Sequence, residues 1–420
     1  MTESKKQPKR KRRFVWISVL AVLTAFSAAS YFAFEPEITW YFGWRELPEF
    51  DAVAGEESES PPDFADLIAF ANSHLEEQKQ SRQLPALSVA IGLDGKLLWS
   101  RAMGPIGLEP ESLERPISTG TQFRIGSISK SITGTLAVRL AQQGELDLNQ
   151  PVSTLVPYFP RKPHEITTRQ LLTHTAGIRN YGMRLAFPAS EFASNSRFES
   201  VESAVAVFAD DPLEFVPGSD FRYSAYGYVL ASAALEGATA LTFPDLIASR
   251  LTEPLGMSAT VVEAQAGDDF AQPYEFSDGL YKPALHVDTS NKIAAGGLVS
   301  TPTDLVTFGN AILVGDYLSE PTKQEMIFKP HRLSNGDVNE QAYAFGWRVN
   351  DSEMFFQGER TIRIVHHGGM AMGGTAFLVL FPDQNLTMAI ATNRSLGSSG
   401  ELLQLLVPIA ERLIVAAEAQ

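Results

Sequence analysis

Strand-like runs cluster at the two ends of this chain. Four lie near the C-terminus: Ala344–Val349, Thr361–His366, Thr375–Phe381 and Leu386–Thr392, with Pro382-Asp383-Gln384-Asn385 turning between the last two. Two more, Ala86–Gly92 and Lys96–Arg101, flank Asp94-Gly95 and predict a hairpin. Strands must pair their backbone groups, and an isolated hairpin is marginal in water. The distribution therefore predicts one antiparallel sheet assembled from both termini and flanked by helices. A mostly helical subdomain is inserted at roughly residues 145–300, which makes the fold class α/β of the α+β kind.

The helices are read from apolar spacing. Phe64, Leu67, Ile68, Phe70, Ala71 and Leu75 predict an amphipathic helix ending near Lys79. Ile128, Ile132, Leu136 and Leu140 recur at four-residue steps and predict a buried helix to Gln143, stopped by Gly144. Shorter helices are expected near 168–178 and 200–209. A strand ending at Phe221-Arg222-Tyr223 should feed a helix over 224–237. An N-capped helix is expected over Leu305–Leu313 and a last amphipathic one over 401–417.

The N-terminal segment sets topology. Lys5, Lys6, Lys9, Arg10, Lys11, Arg12 and Arg13 precede Phe14–Phe34, a stretch without a charged residue. It is long enough to cross a bilayer as one helix, and the basic flank places the N-terminus in the cytoplasm. Trp16, Tyr31, Trp40, Tyr41 and Trp44 would mark the two interfaces. Ser27-Ala28-Ala29 offers a signal-peptidase site, but the length and the aromatic rim favour an uncleaved anchor in the inner membrane. Residues 1–13 are then a cytoplasmic tail, 14–34 the anchor, 35–62 an acidic, proline-bearing flexible spacer and 63–420 an exported folded domain.

Composition closes several routes. The net charge is −15 despite the basic tail, so the body is strongly acidic and lacks the basic face that nucleic acid requires. With no cysteine there is no disulfide, thiolate metal site or cysteine nucleophile. The seven histidines have no ligand-like spacing beyond the adjacent pair His366-His367, whose side chains should face opposite ways on a strand. No metal or cofactor is indicated. G-x-S-x-G, H-E-x-x-H, Walker A and G-x-G-x-x-G are all absent.

What remains is Ser127-x-x-Lys130, at the expected start of the buried helix. Residues three apart share a helical face, so an ammonium can reach the hydroxyl at the positive end of the helix dipole. That pairing describes an activated nucleophile. The alternative from the residues alone is a helix-capping serine beside a solvated lysine.

The Ser127-Ile128-Ser129-Lys130 stretch resembles the active-site motif of the serine β-lactamase and penicillin-binding-protein superfamily. More narrowly it resembles the class C β-lactamase-related serine hydrolases. Leu171–Ile178, Phe221–Leu230, Pro254–Met257, Gly296–Asp304 and His366–Phe381 extend the resemblance over most of residues 63–420. It implies a β-lactamase/transpeptidase-like fold and a two-step acyl transfer, with Ser127 as nucleophile and Lys130 and Tyr223 as proton relay. Tyr223-Ser224-Ala225 matches the family's Tyr-x-Asn motif, with Ala225 where the substrate-facing amide is expected. His366-His367-Gly368, followed by Gly369, matches the family's third motif. It would place His366 against the substrate, Gly368 and Gly369 at its backbone, and the Gly369 N–H with that of Ser127 in the oxyanion hole. His367 is expected on the opposite face, and His174 is expected to be a structural loop histidine.

The implied substrates are small molecules or peptides with an ester, amide or lactam carbonyl. Ala225 and His366 favour ester or D-amino-acid peptide hydrolysis over β-lactamase or D,D-carboxypeptidase action. A non-catalytic scaffold that binds cell-wall peptides is the alternative of another class. Oligomeric state is not legible.

Overall fold

The computed structural model describes residues 16–24, 26–27, 40–182 and 191–418. Its main sheet has seven strands, in the order Arg348–Ser352, Ile362–Ala371, Gly374–Phe381, Leu386–Thr392, Leu87–Leu93, Lys96–Met103 and Gly55–Glu57. All neighbours are antiparallel. The two ends of the chain meet where Met388 pairs with Ile91 and Ile390 with Val89. Asp94 and Gly95 turn the hairpin with φ of 49° and 79°, the positive pair that a two-residue loop matched to strand twist requires.

Helices cover both faces of this sheet. Ala65–Ser81 and Gly400–Glu418 bury Leu75, Leu406 and Ile409 against Trp99, Phe377 and Val379. On the other face Ile128–Gln142 and Pro302–Leu313 contribute Ile132, Leu136 and Phe308, which join Trp347 and Leu378. Two-sided burial explains why Gly374–Phe381 is buried at every position and shows no polar alternation. The helix Ile128–Gln142 is buried along its length except at Arg139, Ala141 and Gln142, and ends before Gly144, at φ 76°.

The inserted region departs from the expectation in two ways. It holds strand as well as helix: Phe123–Arg124, Leu298–Ser300 and Val261–Val262 form one small sheet, and Tyr274–Ser277, Leu280–Pro283 and Arg45–Glu46 form another. Phe221–Tyr223 is not a strand; it is an irregular segment held by His174, and the helix near 200–209 is regular only over Val201–Val205.

The described part of the acidic segment is not a free spacer. Arg45 pairs with Tyr281, and Gly55–Glu57 pairs with Arg101–Met103. Phe50 lies under the Lys79 ammonium at 5.1 Å. The folded unit therefore includes residues from Trp40 onward, because apolar side chains in an acidic stretch found partners far away in sequence. The expected span Phe14–Phe34 lies partly outside the described residues. Within it, residues 16–24, 26 and 27 are helical and exposed, and among the described residues no helix is long and apolar enough to cross a membrane.

Candidate active site

Ser127 immediately precedes the buried helix. Its backbone is helical, and its hydroxyl caps no N–H, so the capping alternative is not realised. Instead Lys130 Nζ donates to Ser127 Oγ at 3.2 Å and to the Ala295 carbonyl at 2.6 Å. Lys130 is fully buried, and among the described residues it has no carboxylate partner. Burial pushes its pKa below the ordinary lysine value; a hydrogen bond and charge interaction with Tyr223 oppose this, and the Arg348 charge adds to it. A lysine tilted toward the neutral form beside a serine hydroxyl can accept the serine proton.

Tyr223 completes the cluster, with its ring centre 4.8 Å from Lys130 Nζ. Its placement depends on the residues after it. Ser224 Oγ caps the helix Ala225–Thr239 by accepting from the Gly227 N–H, and donates to the Arg179 carbonyl. The Ser224 N–H donates to His174 Nδ1 at 3.1 Å, which assigns the His174 proton to Nε2. His174 stands at φ 59° with its ring 4.3 Å from that of Tyr223. Burial, with Lys130 and Arg348 nearby, holds its pKa well below the usual range, so it is neutral. His174 is thus a positioning residue under Tyr223.

The third motif is placed differently from the sequence expectation. Along Ile362–Ala371, Ile362 and Ile364 face the layer of the terminal helices, while Val365 faces the Ser127 side. His366 and Gly368 follow the isoleucines. The His366 ring stacks on Phe377 at 5.4 Å and bonds to Asn350 Oδ1 at 2.9 Å; burial, then Arg348, pushes its pKa down to about 3. It does not reach the substrate side. Gly368 lies against Ser399, where a Cβ would meet Oγ at 2.0 Å. His367 is the histidine on the Ser127 face. Its Nδ1–H donates to the Gly368 carbonyl at 2.7 Å, and its Nε2 accepts from Tyr343 Oη at 3.1 Å and Arg348 Nη1 at 3.3 Å.

Gly369 and Gly126 bring the strand edge against the nucleophile. A Cβ on Gly369 would lie 1.8 Å from the Ile125 carbonyl oxygen and 3.2 Å from the Ser127 nitrogen. One on Gly126, at φ 49°, would meet Met370 N and O at 2.7 and 2.6 Å. Since N–H and C=O of one strand residue point the same way, it is Met370, beyond the end of its neighbour Arg348–Ser352, that turns its N–H toward the Ser127 turn. The Met370 N–H, and not that of Gly369, is therefore the one placed beside the Ser127 turn, where the sequence reading put the Gly369 N–H.

Ala225 begins its helix with its N–H bonded to Asn180 Oδ1 at 2.9 Å, so a side-chain amide stands near the position where Ala225 lacks one. Three other residues escaped the sequence reading. Arg348 lies over the Tyr223 ring at 5.5 Å. Arg124 bonds to Glu263 and to the Met372 carbonyl at 2.6 Å, fixing the strand end beside Ser127. Met370 is the third. None carries a local motif; only the place of Arg348 within the strand-like run Ala344–Val349 hinted at its position. Among the described residues no group of three or more acidic or histidine side chains is disposed to hold a metal.

Sheet, inserted subdomain and the Ser127 cluster together define a class, the β-lactamase/transpeptidase-like serine hydrolases. The family model described as Beta-lactamase matches residues 71–407. The human protein "Serine beta-lactamase-like protein LACTB, mitochondrial" is 27% identical over 406 residues, covering 76% of this chain and 73% of its own length. "Penicillin-binding protein 4*" of Bacillus subtilis is 27% identical over 319 residues, covering 72% and 66%. The octameric penicillin-binding protein homologue from Pyrococcus abyssi superposes with a TM-score of 0.66 at 25% identity, covering 83% and 77%. The chain belongs to the Beta-lactamase family and is a hydrolase of the serine β-lactamase and penicillin-binding-protein superfamily.

Proposed function

We propose that this protein is a membrane-anchored, outward-facing serine hydrolase that cleaves ester or amide carbonyls, including those of D-amino-acid peptides, through an acyl-enzyme on Ser127. The observation that carries the reading is the fully buried Lys130 amine 3.2 Å from Ser127 Oγ, with no carboxylate among the described residues to hold its proton. Ser127 Oγ forms a bond to the carbonyl carbon, and its proton passes to the Lys130–Tyr223 pair. The oxyanion is held by the Ser127 and Met370 N–H groups. As the carbon–leaving-group bond breaks, the leaving group takes the proton from the pair. Water then attacks the acyl carbon, gives a proton to the same pair, and Ser127 recovers its own as the acid departs.

The anchor reading rests on the uncharged stretch Phe14–Phe34 behind its basic cluster. Ala225 weighs against efficient recognition of β-lactams, since it carries no amide itself and the nearby amide of Asn180 has its Oδ1 engaged by the Ala225 N–H.

The test is a panel of three charged substrates that do not cross the membrane, a short-chain ester of a sulfonated nitrophenol, a D-Ala-D-Ala peptide and a chromogenic cephalosporin, given to intact and to lysed cells. We expect the ester or the peptide to be turned over by intact cells, the cephalosporin at least about 10²-fold more slowly, and all activity to vanish in Ser127→Ala. Activity that appears only after lysis would refute the outward topology. No turnover of any of them, with no acyl label on the protein, would favour a non-catalytic binding protein.

A further inference from the structure

The segment that follows the apolar N-terminal stretch returns to the active site. Trp40 Nε1 donates to the Pro283 carbonyl at 2.9 Å, and Lys282 Nζ donates to the Trp40 carbonyl at 3.2 Å. The same ammonium lies 3.4 Å from the Trp40 ring centre and 4.3 Å from that of Trp44. Next along the chain, Arg45–Glu46 pairs with the strand Leu280–Pro283. Backbone, cation and strand contacts thus fix both indoles.

These indoles wall a cavity of about 410 Å³ whose other lining includes Ser127, Tyr181, Phe192 and Met370. Its volume falls within the range of small-ligand sites, roughly 300–1,000 Å³. One end is the nucleophile, and the walls are mostly aromatic and thioether side chains, with Glu275, Lys282 and Ser395 also in the lining. Indole faces and thioether groups offer an acyl chain apolar contact and offer a peptide backbone few partners. Five residues separate Phe34 from Trp40, six Cα-to-Cα steps that reach at most about 20 Å when extended. With residues 14–34 in a bilayer, the mouth of the cavity stays close to the membrane surface.

We propose that Trp40 and Trp44 form the acyl-chain wall of the active site, and that the substrate is an amphiphilic ester drawn from the bilayer surface, its chain along the two indoles and its carbonyl at Ser127. This rests on the acyl-enzyme reading above and adds the specificity of the same site. Each methylene removed from water favours binding about fourfold, so a well-walled cavity should prefer long chains strongly.

The first arm of the test measures kcat/KM of the full-length protein for dissolved nitrophenyl acetate and decanoate. The ratio of decanoate to acetate should be at least about 10² in the parent, fall at least tenfold in Trp40→Ala/Trp44→Ala, and return most of the way in Trp40→Phe/Trp44→Phe. A small fluorophosphonate that labels Ser127 in each variant verifies that each is folded. A ratio that moves less than twofold would overturn the wall. The second arm uses Ser127→Ala, which cannot turn over, and methyl 12-bromododecanoate as a quencher of tryptophan fluorescence. Quenching should be saturable and should fall by more than half when Trp40→Phe/Trp44→Phe is added; equal quenching would overturn the proposal even if every ester assay failed. Delivery from phosphatidylcholine vesicles should quench as well as delivery from solution. Quenching by the dissolved ester only would overturn the bilayer as source. Loss of all ester turnover and labelling in the parent would instead refute the acyl-enzyme reading, and the quenching arm would still decide the wall.

Discussion

Lys130→Met should lower kcat/KM about 10³-fold and leave the protein folded. The methionine matches the lysine stem in length and apolar character, so the buried site stays filled, but the group proposed to accept the serine proton is gone. Positioned acid–base groups contribute about 10²–10⁴ in rate, and the middle of that range is about 4 kcal/mol of barrier. The pH profile carries the more specific expectation. Lys130 must be neutral to take the proton, and its pKa is depressed first by burial. Activity should therefore rise with pH as Lys130 loses its proton, along an acid limb that sits below the ordinary lysine range. Arg348 lowers the Lys130 pKa further. Removing that charge in Arg348→Met should raise the pKa and shift the acid limb to higher pH. A limb that stays in place while activity falls would make Arg348 a merely structural neighbour of Tyr223.

Gly369→Ala has the second large effect, and Gly368→Ala is its control. The Cβ on Gly369 would stand 1.8 Å from the Ile125 carbonyl oxygen and 3.2 Å from the Ser127 nitrogen. Both are backbone atoms, so the strand and the Ser127 turn must separate. Overpacking of this kind costs about 1–3 kcal/mol, and losing the alignment of one oxyanion donor costs about 10²–10³ in kcat. A Cβ on Gly368 instead meets Ser399, on the far face of the sheet. Urea melts should show both variants destabilised, whereas kcat per folded molecule should fall about 10²-fold only in Gly369→Ala. Equal kcat in the two variants would mean that the strand edge does not shape the oxyanion site.

The contrast between these glycines marks where the sequence could be read and where it could not. The helix Ile128–Gln142, the Asp94-Gly95 hairpin and the strand Leu386–Thr392 all carry local signals: apolar spacing, a turn dipeptide, a bounded apolar run. So does the Ser127–Lys130 pair, because helical periodicity alone puts the two on one face. The facing of His366 and His367 has no such signal. Ile362, Ile364 and Val365 are apolar on both sides of a doubly covered strand, so alternation gives no direction, and a shift of one position reverses every side chain. Gly368 and Gly369 add no side chain to break the tie. Only the pairing of the strand with its neighbours sets His367 toward Tyr343 and Arg348. Composition misled in a different way at residues 35–62. Acid and proline describe a solvated linker, yet Trp40, Trp44 and Phe50 dock on Lys282 and Lys79, partners that no local window contains. His174 shows the same limit: a left-handed loop residue far from Tyr223 in sequence holds that tyrosine through Ser224.

The proposed mechanism depends most on Ser127 as the acyl acceptor. Peptide mapping by mass spectrometry after brief exposure of the full-length protein to a fluorophosphonate tests this directly. One adduct is expected, on the peptide that contains Ser127, at unit stoichiometry and absent from Ser127→Ala. An adduct on any other serine, or one that persists in Ser127→Ala, would contradict it.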